Sequence, residues 1–368
     1  MKLKVLVISD YRDYISARPE AELYIGLQKA GLDVTIMTYP GTAWAKEFQA
    51  AGLLVIEYHP QQKRSRTSIN YIRSVVREGG YHILHLYNSL ASSNGIPAVK
   101  GLPVKVLLYR GYTGNVHWWD PTMYFKYLHP GVDKIFCITK EIENIFRRNT
   151  LFGKNKAVTI VKGHNPEWYQ HVQPVSSFEQ WGVPKDAFVV ICVANVRPMK
   201  GIPYLLKATQ ELPAGLPVHF VFIGAGFDRK EIQTLIQESN YRNQIHCIGF
   251  VPDPLPLVAA AQVFVLPSVK GEGLSKATIE AMALGVAPVV TSIPGNTDIV
   301  VHEQSGLLVA PADPSALAAA ILRLYNGGDF RRKLAHQARQ RIETEFHIST
   351  TIREMKKLYE EMTGQTTG

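Results

Sequence analysis

Residues 263–292 read VFVLPSVKGEGLSKATIEAMALGVAPVVTS. The runs VFVLPS (263–268) and VAPVVTS (286–292) are short and apolar, and each has the composition of a buried strand. Between them a glycine-flanked acidic loop leads into a helical stretch that Ser275 can cap and Gly285 can end. The segment is a β-loop-α-β unit with Glu272 in its loop and Glu280 on its helix. Such a loop lies at the carboxyl end of a strand and the amino end of a helix. Open parallel sheets bind anionic ligands there.

Outward from this unit, strand and helix signals alternate along most of the chain. Upstream strands are expected at 4–9, 33–39, 53–59, 82–87, 104–111, 134–139 and 157–162, with helical stretches between them, as at 19–30 and 140–149. Residues 170–186 lose periodicity and carry Pro, Ser and Gly, so they read as a linker. A second alternating series runs from 188 to about 311, and the last ~55 residues are helical. The expected fold is α/β, with two Rossmann-like doubly wound domains. The first spans 1–168 plus about 347–368, and the second 169–346.

The stretch 263–292 resembles the signature of retaining nucleotide-sugar glycosyltransferases of the GT-B fold, glycosyltransferase family 4 in particular. The shared pattern is an apolar strand ending in Pro267-Ser268, then Glu272-Gly273, then Glu280-Ala281-Met282-Ala283. VANVRPMKG (193–201), FIGAG (222–226), GFVPD (249–253), PGNTDIV (294–300) and SGLLV (305–309) follow the family's order. The resemblance is strong over 190–368 and holds only in outline over 1–165. It implies two domains facing a cleft, with a final helix that crosses back to the first domain. It also implies a nucleoside-diphosphate sugar as donor, retention of configuration, and no required cofactor.

By that resemblance Glu280 holds the donor's ribose and Glu272 faces the transferred sugar. The backbone of Gly273, Leu274 and Ser275 approaches the diphosphate and the sugar, and Lys200 grips the phosphates. The family more often has Arg where this chain has Asn195, and Arg197 lies two residues later. We assign Arg197 to the phosphates as well; the alternative is that it only closes its loop. Backbone groups around Phe250 and Val251 are expected to read the base. The chemistry agrees with these roles. Phosphates need cations and N–H groups, and sugar hydroxyls need carboxylate acceptors. No Asp-x-Asp pair suggests a metal.

The first half is less explicit. Where many relatives have a Gly-Gly pair after the first strand, this chain has SARPEAEL (16–23), and Arg18 and Pro19 are expected to shape a loop there. Arg18 meets an anionic ligand or pairs with Glu22. YRGYTGNVHWWDP (109–121) follows a strand end and holds Arg110 and His117 beside Trp118 and Trp119. His117 is a candidate for assisting an acceptor hydroxyl, and a structural histidine is the alternative.

Charge is uneven. Residues 1–168 hold 22 Lys and Arg against 13 Asp and Glu, and the rest hold 18 against 18, so the whole +9 belongs to the first half. An anionic membrane surface or lipid-linked acceptor fits this asymmetry, as does a generally basic solvated surface. No nucleic-acid motif is present. The stretches 61–77 and 118–130 mix basic and apolar residues and are candidates for lipid contact or for ordinary packing on a sheet. The start reads as a strand, not a signal peptide, and no run has the length of a membrane span, so the expected place is the cytoplasm, free or at the inner face of the membrane. Cys137, Cys192 and Cys247 lie singly and suggest no disulfide.

The expected activity is sugar transfer to a saccharide or lipid-linked acceptor in bacterial surface polysaccharide or lipopolysaccharide synthesis. A nucleotide-sugar epimerase and a non-catalytic partner subunit of the same fold are the alternatives.

Overall fold

The computed structural model describes residues 2–114, 116–150 and 155–365. Met1, Asn115 and 366–368, which fall within stretches assigned above, lie outside the described residues. The chain forms two compact units, 1–164 with 346–368, and 165–345.

The first unit carries a parallel sheet of β1 (Lys4–Ile8), β2 (Asp33–Thr38), β3 (Leu54–Glu57), β4 (Ile83–Leu86), β5 (Lys105–Arg110), β6 (Lys134–Cys137) and β7 (Ala157–Thr159). Their order across the sheet is β3-β2-β1-β4-β5-β6-β7. The second unit carries β8 (Phe188–Val193), β9 (Val218–Ile223), β10 (Ile245–Gly249), β11 (Val263–Leu266), β12 (Ala287–Thr291) and β13 (Leu307–Val309), in the order β10-β9-β8-β11-β12-β13. All the strand pairs are parallel. Central strands such as β11 and β12 are buried along their whole length, which is why they read as continuous apolar runs. In each sheet the order reverses once, at β1/β4 and at β8/β11. Doubly wound sheets bind ligands at that point, beyond the carboxyl ends of the strands.

The last helix, Ile348–Thr363, belongs to the first unit, as expected of the closing helix. It buries Met355, Leu358 and Tyr359. His85 on β4 holds it from within: its Nδ1 lies 2.8 Å from the Tyr359 hydroxyl and 2.7 Å from that of Tyr24. Burial pushes the His85 imidazole down to about 3, so it is neutral.

Two local expectations are corrected. Residues 170–186 are not a free linker. They belong to the second unit, with a short 3-10 turn at Glu179–Trp181 and a bond from Val175 N–H to the Pro256 carbonyl. Residues 16–23 are not a loop. They lie in the helix Tyr14–Lys29, whose Asp13 cap accepts from the Ser16 N–H at 3.0 Å, and Pro19 is carried inside it. The basic helix Arg66–Gly79 buries Ile72 and Val76, so these two apolar residues are covered by the first unit's own packing. Among the described residues no helix is long and apolar enough to cross a membrane.

Candidate functional site

The second unit's site is built from the loops after β8 and β11. After β8 the chain makes a tight turn, Pro198–Lys200, that ends in Gly201 at φ +65°. A Cβ on Gly201 would stand 1.9 Å from the Pro267 carbonyl oxygen, so only glycine lets this turn press against the end of β11. The Val269 N–H donates to the Met199 carbonyl at 2.8 Å and fastens the two loops. The result is contact between two residues far apart in sequence. Lys200 Nζ lies 2.6 Å from Glu272 Oε1, and the Ser268 hydroxyl donates to the same oxygen at 2.6 Å.

Beneath this pair a polar chain continues. The Thr291 hydroxyl donates to the Ser268 carbonyl, and Asn296 Nδ2 donates to the Thr291 carbonyl at 3.0 Å. Asn296 is fully buried, and among the described residues its Oδ1 has no partner. Gly295, at φ +89°, places its backbone against the loop. A Cβ there would meet the Gly273 carbonyl oxygen at 1.8 Å. Gly295 backbone thus packs directly on the Glu272–Gly273 loop, and Gly201 packs on Pro267 just before it. Glu272 itself is buried, and among the described residues nothing bonds its Oε2.

Ser275 caps the helix Lys276–Ala283, and its hydroxyl accepts from the Thr278 N–H at 3.4 Å. Among the described residues, the N–H groups of Gly273, Leu274 and Ser275 meet no acceptor. Three unclaimed donors at a helix start, beside a lysine, form a cradle for an anion. Glu280 projects from the same helix and pairs with Lys276 at 2.8 Å. Burial raises its carboxyl above the ordinary carboxylate range, Lys276 opposes that rise, and the charge of Asp253 adds to it.

The other assigned residues divide. Asn195 Oδ1 accepts from the Ala225 N–H at 2.8 Å, so its side chain ties the loop after β8 to the loop after β9. Arg197 is exposed, and its side chain makes no hydrogen bond or ion pair among the described residues. Val251 follows β10, next to a cavity of about 460 Å³ lined by Gly224, Gly226, Gly249 and the exposed ring of Phe250.

In the first unit Arg110 ends β5. It is buried and committed to its own loop: Nε donates to the Tyr112 carbonyl at 2.9 Å and Nη2 to that of Gly114. His117 stacks on Trp119 with ring centroids 4.4 Å apart, and its Nδ1 is buried without a partner. Neither His117 nor Arg18 lines the cavity beside Arg110.

Sequence reading missed the support beneath Glu272. Ser268, Thr291 and Asn296 were visible only as parts of motifs, and no side-chain pattern showed that they bond to one another. Lys276 was legible from its i,i+4 spacing to Glu280.

The family described as glycosyl transferases group 1 matches residues 176–341. An uncharacterized glycosyltransferase of Methanocaldococcus jannaschii is 28% identical over 215 residues, 56% of this chain and 54% of that protein. The capsular polysaccharide biosynthesis glycosyltransferase CapM of Staphylococcus aureus is 30% identical over 180 residues, 47% of this chain and 46% of that protein. The chain thus spans about half the length of these relatives. Among solved structures, Anabaena HepE in complex with UDP superposes with a TM-score of 0.78 at 17% identity, covering 98% of this chain and 100% of that one. Such a likeness speaks for the fold alone, and the fold is the two-sheet architecture described above. The match to the group 1 glycosyl transferases lies within the second compact unit and covers nearly the whole of it.

Proposed function

We propose that the chain is a retaining glycosyltransferase that moves a sugar from a nucleoside-diphosphate sugar to a hydroxyl of a saccharide or lipid-linked acceptor. One observation carries the reading. Lys200 and the unclaimed N–H groups of Gly273, Leu274 and Ser275 converge beside the Glu272 carboxylate at the β8/β11 switch point. A cation and aimed donors suit a diphosphate, and a carboxylate with one free oxygen suits sugar hydroxyls.

In this account the diphosphate lies over the start of the helix Lys276–Ala283, within reach of Lys200 and the free Arg197. Glu280 accepts from the ribose hydroxyls. The base lies in the cavity beside Phe250 and Val251. Lys200 has three donors and spends one on Glu272, so it can keep that bond while it binds phosphate. The bond from sugar C1 to the phosphate oxygen breaks, and its electrons go to the diphosphate. Lys200, Arg197 and the helix start stabilise that charge. The acceptor oxygen then bonds to C1 from the same face and gives its proton to the departing phosphate. Arg110, His117 and Arg18 belong to the acceptor side in this reading.

CapM supports placing the reaction in surface polysaccharide synthesis, and the basic first half supports work at the cytoplasmic face of the membrane. Because HepE is seen with UDP, uridine donors are the first to try. The test is nucleotide release from UDP-, GDP- and ADP-sugars by the purified chain, with and without saccharide acceptors. Release from one donor class, lost in Glu272→Gln, is the expected result. Equal release by Glu272→Gln would overturn the assignment.

A further inference from the structure

The first unit contains a cavity of about 530 Å³ beside the carboxyl ends of β4 and β5. Lys63, Arg64, Arg110 and Lys126 line it, and among the described residues none of the four forms an ion pair. Some cations of this unit are paired elsewhere: Arg12 with Asp10, Lys105 with Asp133, Arg147 with Glu143. The cavity's own carboxylate, Asp120, already accepts from the N–H and hydroxyl of Thr122 through Oδ1. Among the described residues the Lys126 ammonium bonds the Ser89 hydroxyl at 3.4 Å and lies over the Tyr127 ring. Burial, then the nearby Arg110 and Lys63, lower its pKa. With Asp120 as the lining carboxylate, the cavity keeps an excess of positive charge that suits an anion.

The cavity's rim is apolar. Phe125 is 60% exposed and Tyr112 51% exposed, and both line it. Trp118 and Trp119, in the same short stretch, are also exposed. Arg64 takes a left-handed backbone, φ +54°, which is uncommon for a non-glycine residue, and stands 4.3 Å over the Phe125 ring. Inorganic phosphate or pyrophosphate would use the cations and leave the exposed rings without a contact. Aromatic side chains beside cations suit a ligand whose charged end continues into hydrocarbon.

We infer that this cavity binds the phosphate or diphosphate of a lipid phosphate, with Lys63, Arg64 and Lys126 on the phosphate and Phe125 and Tyr112 against the lipid chain. The inference rests on the reading that the first unit receives the acceptor, and it names the acceptor's class: a lipid diphosphate ester, not a free saccharide. Arg110 orders the loop that forms the cavity wall.

The experiment is calorimetric titration of the full chain with farnesyl diphosphate, inorganic pyrophosphate and farnesol, in excess UDP so that a diphosphate site in the second unit is filled. Farnesyl diphosphate is expected to bind tighter than either fragment. Lys63→Ala with Lys126→Ala should weaken it about tenfold or more, as loss of two charge-assisted contacts implies. Phe125→Ser should weaken farnesyl diphosphate and leave pyrophosphate unchanged. Pyrophosphate binding as tightly as farnesyl diphosphate would overturn the inference, and so would farnesyl diphosphate binding that the double variant retains. UDP affinity, read alongside, reports on the second unit separately. A chain that binds the lipid diphosphate but none of UDP, GDP and ADP would sustain this inference and refute the proposed donor.

Discussion

Lys200→Met removes one charge and keeps most of the side chain's length. In the native structure Nζ stands 2.6 Å from Glu272 Oε1, with the lysine side chain 23% exposed and the glutamate 8% exposed. The variant leaves the Glu272 carboxylate buried with only the Ser268 hydroxyl as donor. Breaking one side of a buried pair costs about 3–5 kcal/mol, and the partial exposure of Lys200 places this case near ~3. For a unit of this size that corresponds to a fall of roughly 6–12 °C in melting temperature, at ~2–4 °C per kcal/mol. Nucleotide affinity should fall about 10- to 150-fold, the share of a charge-assisted hydrogen bond of ~1.5–3 kcal/mol. Turnover should fall about 10²–10³-fold, because charge builds on the diphosphate as it leaves. Calorimetric melting, UDP titration and nucleotide release read the three effects separately. Adding Glu272→Gln should restore part of the stability and none of the turnover, since the stranded charge is gone but the cation is not replaced. Wild-type turnover in Lys200→Met would refute the role given to this lysine. Lost turnover with unchanged melting would refute the buried pair as drawn.

Three other outcomes are expected. Glu280 carries a raised pKa, so its native form holds a proton that the unfolded chain releases; the associated stability is present at low pH and lost as pH rises through the raised value. Ribose binding needs the ionised form, so UDP affinity should weaken on acidification sooner than for an ordinary glutamate, and titrations across pH 4–8 of wild type and Glu280→Gln should show the slope only in wild type. Gly201→Ala places a Cβ 1.9 Å from the Pro267 carbonyl oxygen at a left-handed φ; about 1–2 kcal/mol of stability and ~10²-fold in turnover should be lost as the Lys200 turn shifts, and wild-type kinetics would show that the turn is not a constraint. His85, pushed down to about 3, resists the proton that the unfolded chain takes up near pH 6.5, so the first unit should lose about 1.4 kcal/mol per pH unit below ~6.5. Urea unfolding at pH 7 and pH 5 should show this dependence, with His85→Asn flattening it; an unchanged slope would assign the acid sensitivity elsewhere.

The two sheets were legible because central parallel strands are buried on both faces. VFVLPS and VAPVVTS therefore stand out as unbroken apolar runs, and Ser275 and Gly285 bound the helix between them. Glu272, Glu280 and Lys200 could be picked out one at a time, but the Lys200–Glu272 contact could not. It joins positions 72 residues apart through a turn pressed on a backbone carbonyl. Pro19 misled because proline usually breaks a helix; here Asp13 capping and burial of Leu23, Tyr24 and Leu27 hold the helix. Arg110 looked like a ligand-binding cation. Its nearest partners are loop carbonyls, which no side-chain pattern reveals. The unpaired state of Lys63, Arg64 and Lys126 was hidden for a related reason: net charge reports an excess of cations and not where they lack partners.

The most direct test of the central claim is UDP binding by the purified chain, measured by calorimetry beside Glu280→Ala. The account predicts saturable binding that weakens about tenfold or more when the ribose acceptor is removed. Equal affinity in the two proteins would contradict it, as would no binding of UDP, GDP or ADP by protein shown to be folded.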